Sequence, residues 1–195
     1  MTSPLMTSGI DRVRGYILNL DEPAAWTAEE LESRRSTWDL ALTDSESALL
    51  GELAEEATAR FGQWSEGHGT REEWKKFADP LVKYFAGVEH SLEVGTGIAL
   101  LRNLPVRTPD AELPYNEYLL WLIGAAIGQP VNQMGGDTLL ATLAQREKAR
   151  PDHVRPENTN EGLGFHTDGS DLLMLMCIRQ AQVGGNSVVS SSART

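Results

Sequence analysis

The sequence predicts an α+β chain. Helical periodicity fills most of the chain up to residue 127, strand-like runs gather after it, and a Gly-Gly turn separates the last two of those runs. Helices first and strands afterwards describe either an α+β domain or a β-fold carrying a helical N-terminal extension. We divide the chain accordingly into a helical extension, residues 1–90, and a second part, residues 91–195.

The elements follow in order. Residues 1–25 read as a loose lead-in. Thr43 is followed three residues later by Glu46, the spacing of a capping box, in which a hydroxyl and a carboxylate each satisfy a free backbone N–H. Leu50, Leu53, Ala57 and Phe61 then recur at helical spacing, and Gly62 ends the helix. A second helical pattern carries Trp74, Phe77, Leu81, Phe85 and Val88. Pro80 interrupts it, and Asp79 is placed to cap a new helix with Pro80 in its first position.

Gly95 and Gly97 precede the strand-like run Ile98, Ala99, Leu100, Leu101. A dinucleotide-binding loop needs its glycines after a strand, with a third one opening a helix, so that reading is excluded. Residues 114–127 are apolar on nearly all sides, which predicts a buried helix stopped by Gly128 and Pro130. Residues 138–144 fit a strand. Residues 145–164 form a long polar stretch with Pro151 and Pro156, a candidate lid. Residues 171–181 and 186–191 then read as two strands around the turn Val183-Gly184-Gly185.

Composition narrows the function. An apolar fraction of 41% and a charged fraction of 23% are ordinary for a globular protein. The formal net charge of −11 repels phosphate, so neither nucleic acid nor an anionic membrane is expected as a partner. The acidic groups Glu29, Glu30, Glu32, Glu52, Glu55 and Glu56 read as solvated helix faces. Cys177 is the single cysteine, which fits a reducing cytoplasm, and its apolar surroundings predict a buried thiol. The N-terminus lacks a signal-peptide core, and the most apolar run, 119–127, is too short to span a bilayer. A cytoplasmic location is the expectation.

The chemistry concentrates in GFHTDGSDLLMLMCIRQAQVGGNS, which begins at Gly164. On a strand, side chains two residues apart share a face, so His166 and Asp168 are candidates to converge on one ion. Imidazole plus carboxylate suits a borderline divalent metal such as Fe(II), and two His with one carboxylate leave three positions of an octahedron open. A hydrogen-bonded His–Asp pair in a loop is the alternative.

The run FHTDGSDLLMLMCIRQAQVGGNSVVSS resembles the TauD/TfdA family of taurine dioxygenase-like enzymes, with support from GIALLRNLP and IGQPVNQ upstream. The resemblance covers about residues 95 to 195. It implies a double-stranded β-helix, a jelly roll whose sheets enclose the metal. It also implies Fe(II) as cofactor, 2-oxoglutarate as cosubstrate, and oxidation of a small-molecule substrate. His166 and Asp168 match the family's first two iron ligands. Ser187 matches the hydroxyl residue that helps hold the distal carboxylate of 2-oxoglutarate. Asn132 and Gln133 fall where family members line the substrate pocket, and a plain loop is the alternative for both.

The family pattern also calls for a downstream histidine and an arginine that grips 2-oxoglutarate. No histidine follows His166, and neither Arg179 nor Arg194 is placed like that arginine. The expectation is therefore an N-terminal part of a longer enzyme, with the C-terminal half of the barrel absent from this chain and little turnover from its monomer. A non-catalytic remnant or interaction module of the same fold is the second reading. A cupin-type hydrolase or isomerase is the third, and the GGNS segment argues against it.

Overall fold

The computed structural model describes residues 22–63, 71–77, 79–108, 112–132, 139–143 and 162–194. These fall into two compact units. The first is drawn from Met1–Gly51, Pro80–Pro105 and Ala181–Thr195, and the second from Glu52–Asp79 and Val106–Gln180.

The first unit opens with helix α1, Ala28–Ser33. Thr27 caps it, with its hydroxyl accepting from the Glu30 N–H at 3.3 Å while the Glu30 carboxylate accepts from the Thr27 N–H at 2.6 Å. Each group thereby satisfies an end N–H that helical geometry leaves free. A short 3-10 turn, Arg35–Thr37, leads into strand β1, Asp39–Ala41. Helix α2, Asp44–Phe61, starts at the predicted capping box: Glu46 Oε2 accepts from the Thr43 N–H at 2.9 Å, and Thr43 Oγ1 accepts from the Glu46 N–H at 3.3 Å. This long helix continues into the second unit and ends at Gly62, whose φ of 73° suits a residue without a Cβ.

Helix α3, Arg71–Phe77, belongs to the second unit. The predicted break at Pro80 is present, but its form differs from expectation. Asp79–Leu81 make a 3-10 turn, and helix α4, Val82–Glu93, has Leu81 at its N-cap with no side-chain cap bond. Asp79 is thus too far upstream to cap α4, because the 3-10 turn takes up the residues between.

Strand β2, Leu100–Arg102, pairs with β1 in parallel, with Leu40 opposite Leu101. Parallel partners need a crossover connection, and the intervening helical stretch provides one. Two side chains lock the turn before β2. Trp26 Nε1 donates to the Thr96 carbonyl at 2.8 Å. Ser91 Oγ lies 3.0 Å from the carbonyls of both Thr37 and Ile98 and donates to one at a time. Trp26 and its neighbour Ala25 are buried, so the end of the expected loose lead-in is built into the unit.

Helix α5, Leu113–Ile127, dominates the second unit. Its fully enclosed residues include Tyr118, Leu119, Leu122 and Ala125, which fits the all-round apolarity of the sequence. Helix α3 packs on it. Trp74 stands at the centre of an aromatic cluster, 5.3 Å from Phe61, 5.8 Å from Phe77, 5.9 Å from Tyr118 and 6.3 Å from Trp121, centroid to centroid. These spacings and tilts are the ones ring quadrupoles favour.

The strand expectations fail in the later residues. Residues 139–143, 171–181 and 186–191 adopt no ladder, and the one sheet among the described residues is β1–β2. A strand exists only through hydrogen bonds to a neighbour, and an apolar pattern without that neighbour stays open. Leu173, Leu175, Val188 and Val189 are accordingly exposed, and so is Cys177, expected in a core. The described residues are helix-rich with one small parallel sheet.

Candidate metal and cosubstrate residues

His166 and Asp168 lie in the second unit, in an exposed segment without regular structure. The alternation that would place both side chains on one strand face does not apply to it, since no ladder holds this segment. His166 has a defined local partner. Its Nδ1 lies 2.9 Å from the Gly164 carbonyl oxygen. A carbonyl only accepts, so Nδ1 carries the proton in this contact, and Nε2 is the nitrogen left for a metal. A backbone carbonyl on the far nitrogen is a common way to fix the tautomer of a metal-binding histidine.

The residues after the triplet rest against helix α5. Met174 Cε comes within 3.0 Å, and Leu172 Cδ1 within 3.9 Å, of the points a Cβ would occupy on Gly124 and Gly128. A Cβ at Gly124 would crowd Met174, so this glycine leaves room for it, whereas one at Gly128 would meet Leu172 in ordinary contact. This seats the stretch just downstream of Asp168 while the triplet itself stays open to solvent.

Ser187 belongs to the first unit and is exposed. Gly184 and Gly185, with φ of 76° and 69°, are both in the left-handed region, but the two strands expected on either side of them are not formed. Asn132 is exposed in the stretch after α5. Gln133 lies outside the described residues, as does the candidate lid apart from residues 162–164.

The donor types at His166 and Asp168 suit Fe(II), but the set is not closed. Among the described residues no three His, Cys, Asp or Glu side chains gather as a metal would require. Two donors do not make the facial triad.

The structure adds one charged cluster that sequence reasoning missed. Asp39 on β1 accepts from Arg102 Nε at 2.5 Å, from Arg102 Nη2 at 3.0 Å and from Arg35 Nε at 2.9 Å. The two guanidinium groups, Arg102 first, hold the Asp39 carboxyl below its ordinary value. No local signal joins Asp39 to Arg102, because strand register alone places them together.

The profile of the taurine catabolism dioxygenase TauD, TfdA family matches residues 52–195, and the chain belongs to that family. The match begins upstream of the segment that carries the visible resemblance. Enzymes of this family are dioxygenases that use Fe(II) and 2-oxoglutarate. The FR-33289 synthase of Streptomyces rubellomurinus is 30% identical over 112 residues. That alignment takes in 56% of this chain and 32% of the synthase, so the chain spans about a third of the curated relative it matches. No solved structure matches. Among the described residues no helix is long and apolar enough to cross a membrane.

Proposed function

We propose that this chain is part of an Fe(II)- and 2-oxoglutarate-dependent dioxygenase that oxidises a small organic molecule in the cytoplasm. The observation that carries the reading is the family match over residues 52–195, which includes both the His166-Thr-Asp168 triplet and the Gly184-Gly185-Asn-Ser187 segment. In this reading His166, through Nε2, and Asp168 are two of the iron ligands. The Gly164 carbonyl holds the imidazole in the tautomer that ligation requires. Ser187 donates to the distal carboxylate of 2-oxoglutarate, and Asn132 and Gln133 line the substrate side. The metal supplies the oxidising chemistry, while this chain orients its ligands and the cosubstrate.

The third iron ligand and the 2-oxoglutarate-binding arginine come from residues outside the described set. The partner is a small molecule, with no role for nucleic acid or membrane. The second reading is that the polypeptide is a non-catalytic remnant or interaction module of the same family.

Anaerobic addition of Fe(II) to the protein as its natural source makes it, with and without 2-oxoglutarate, separates the two readings. A charge-transfer absorption that appears only with both supports the dioxygenase. A folded protein that gives no such band supports the module.

A further inference from the structure

The stretch that carries Ser187 is exposed along nearly its whole length. Among the described residues from 162 to 194, Ser191 alone is buried, at 7% exposure. Its Oγ donates to the Ala24 carbonyl at 2.6 Å. Three residues on, the Arg194 guanidinium lies 3.2 Å and 3.4 Å from the two Glu30 carboxylate oxygens. The Arg194 N–H donates back to the Ser191 carbonyl at 3.3 Å, so a turn joins the two contacts.

Both contacts end on one structured segment. Ala24 adjoins Ala25 and Trp26, which are buried, and Trp26 is tied to Thr96. Glu30 is the carboxylate that closes the capping box on Thr27, so it is already held in place before Arg194 reaches it. A side chain fixed by its own cap loses little further freedom on pairing. Ser187 lies four residues before Ser191, between this fastening and the Gly184-Gly185 turn.

We propose that Ser191, reinforced by Arg194, is a positioning residue for Ser187: it clasps the end of the Gly-Gly segment to the Ala24–Glu30 region and so fixes where the Ser187 hydroxyl stands. The role given to Ser187 rests on the dioxygenase reading. The clasp itself does not.

The order of weights follows from the geometry. The Ser191 hydroxyl is buried with a short hydrogen bond, whereas Arg194 and Glu30 are 37% and 49% exposed, where ion pairs contribute little. Ser191→Ala is therefore the decisive substitution, and Arg194→Gln has the weaker effect.

Two readouts on the full chain test this. Hydrogen exchange at the Arg194 amide, which is hydrogen-bonded to the Ser191 carbonyl, reads the clasp. Affinity for 2-oxoglutarate in the presence of Mn(II), a redox-quiet substitute for Fe(II), reads the positioning of Ser187. Loss of one hydrogen bond predicts roughly fivefold faster exchange at the Arg194 amide in Ser191→Ala, with α5 unchanged. Affinity for 2-oxoglutarate falls by a similar factor, and Ser191→Thr, which keeps the hydroxyl, restores both. Unchanged exchange overturns the clasp. Faster exchange with unchanged affinity overturns the positioning role. A wild-type protein that exchanges as expected yet binds no 2-oxoglutarate overturns the role of Ser187 and leaves the clasp standing on the exchange data.

Discussion

Asn116 takes both backbone polar groups of Arg107. Its Oδ1 accepts from the Arg107 N–H at 3.0 Å, and its Nδ2 donates to the Arg107 carbonyl at 2.7 Å. Asn116 is 1% exposed on helix α5, so one side chain fastens the stretch leading into the helix. The Arg107 guanidinium stacks over Tyr115 at 3.9 Å and pairs with Glu55, adding two weaker ties at the same point.

Replacing Asn116 by Ala removes both hydrogen bonds and leaves two backbone groups to find water. We expect a loss of about 2–3 kcal/mol of folding stability. Urea denaturation followed by tryptophan fluorescence reads it. A cost near zero would mean that the two bonds are not formed in solution.

Asp39 makes stability depend on pH. Hydrogen bonds from Arg102, then Arg35, hold its folded pKa below the unfolded value. A carboxyl depressed in this way stabilises the fold above its unfolded pKa, and that contribution is lost as pH falls through the folded one. Wild type should therefore exceed Asp39→Asn in urea midpoint at pH 7, and the gap should close on acidification through the carboxylate range. A gap that persists unchanged at the lowest pH would rule out the ion pairs as its source.

Tyr84 points the other way. Its hydroxyl is buried without a hydrogen-bond partner among the described residues. Burial, with a smaller push from the Glu46 charge, raises its pKa to about 12. Tyr84→Phe deletes an unsatisfied polar atom, and we expect it to be neutral or stabilising by up to about 1 kcal/mol at pH 7. A folded pKa above the unfolded one stabilises below the unfolded value of about 10 and loses that effect as pH rises through the folded value. The advantage of Tyr84→Phe over wild type should accordingly widen above pH ~10. Thermal melts of both proteins at neutral and alkaline pH check the trend, and a destabilised Tyr84→Phe would show that the hydroxyl has a partner in solution.

What could be read in the sequence was what local chemistry determines. The Thr43–Glu46 capping box and the stop at Gly62 each depend on a few neighbouring residues, and each is present. Helix α5 was legible because apolar residues surround it on every side. The later strands were not, because alternation states only that a segment suits a sheet and leaves its neighbour unnamed. Cys177 and Val188 show the result: apolar positions left exposed where no ladder forms. Asp39 and Arg102 illustrate the same limit from the other side, since 63 residues separate them and only strand register brings them together. At the site, residue types pointed to a metal, and the Gly164 carbonyl on His166 gives that reading a tautomer. Closing the ligand set is a non-local matter of the same kind.

Whether His166 and Asp168 hold a metal is tested most directly by Mn(II) binding followed by EPR in the presence of 2-oxoglutarate. It should be measured on the natural gene product and on His166→Ala and Asp168→Asn. Loss of a partner outside the ligand shell alone costs tenfold or more in metal affinity, so loss of a ligand should weaken binding at least about tenfold in each variant. Binding equal to wild type in both variants would contradict the assignment and leave the triplet as a hydrogen-bonded loop.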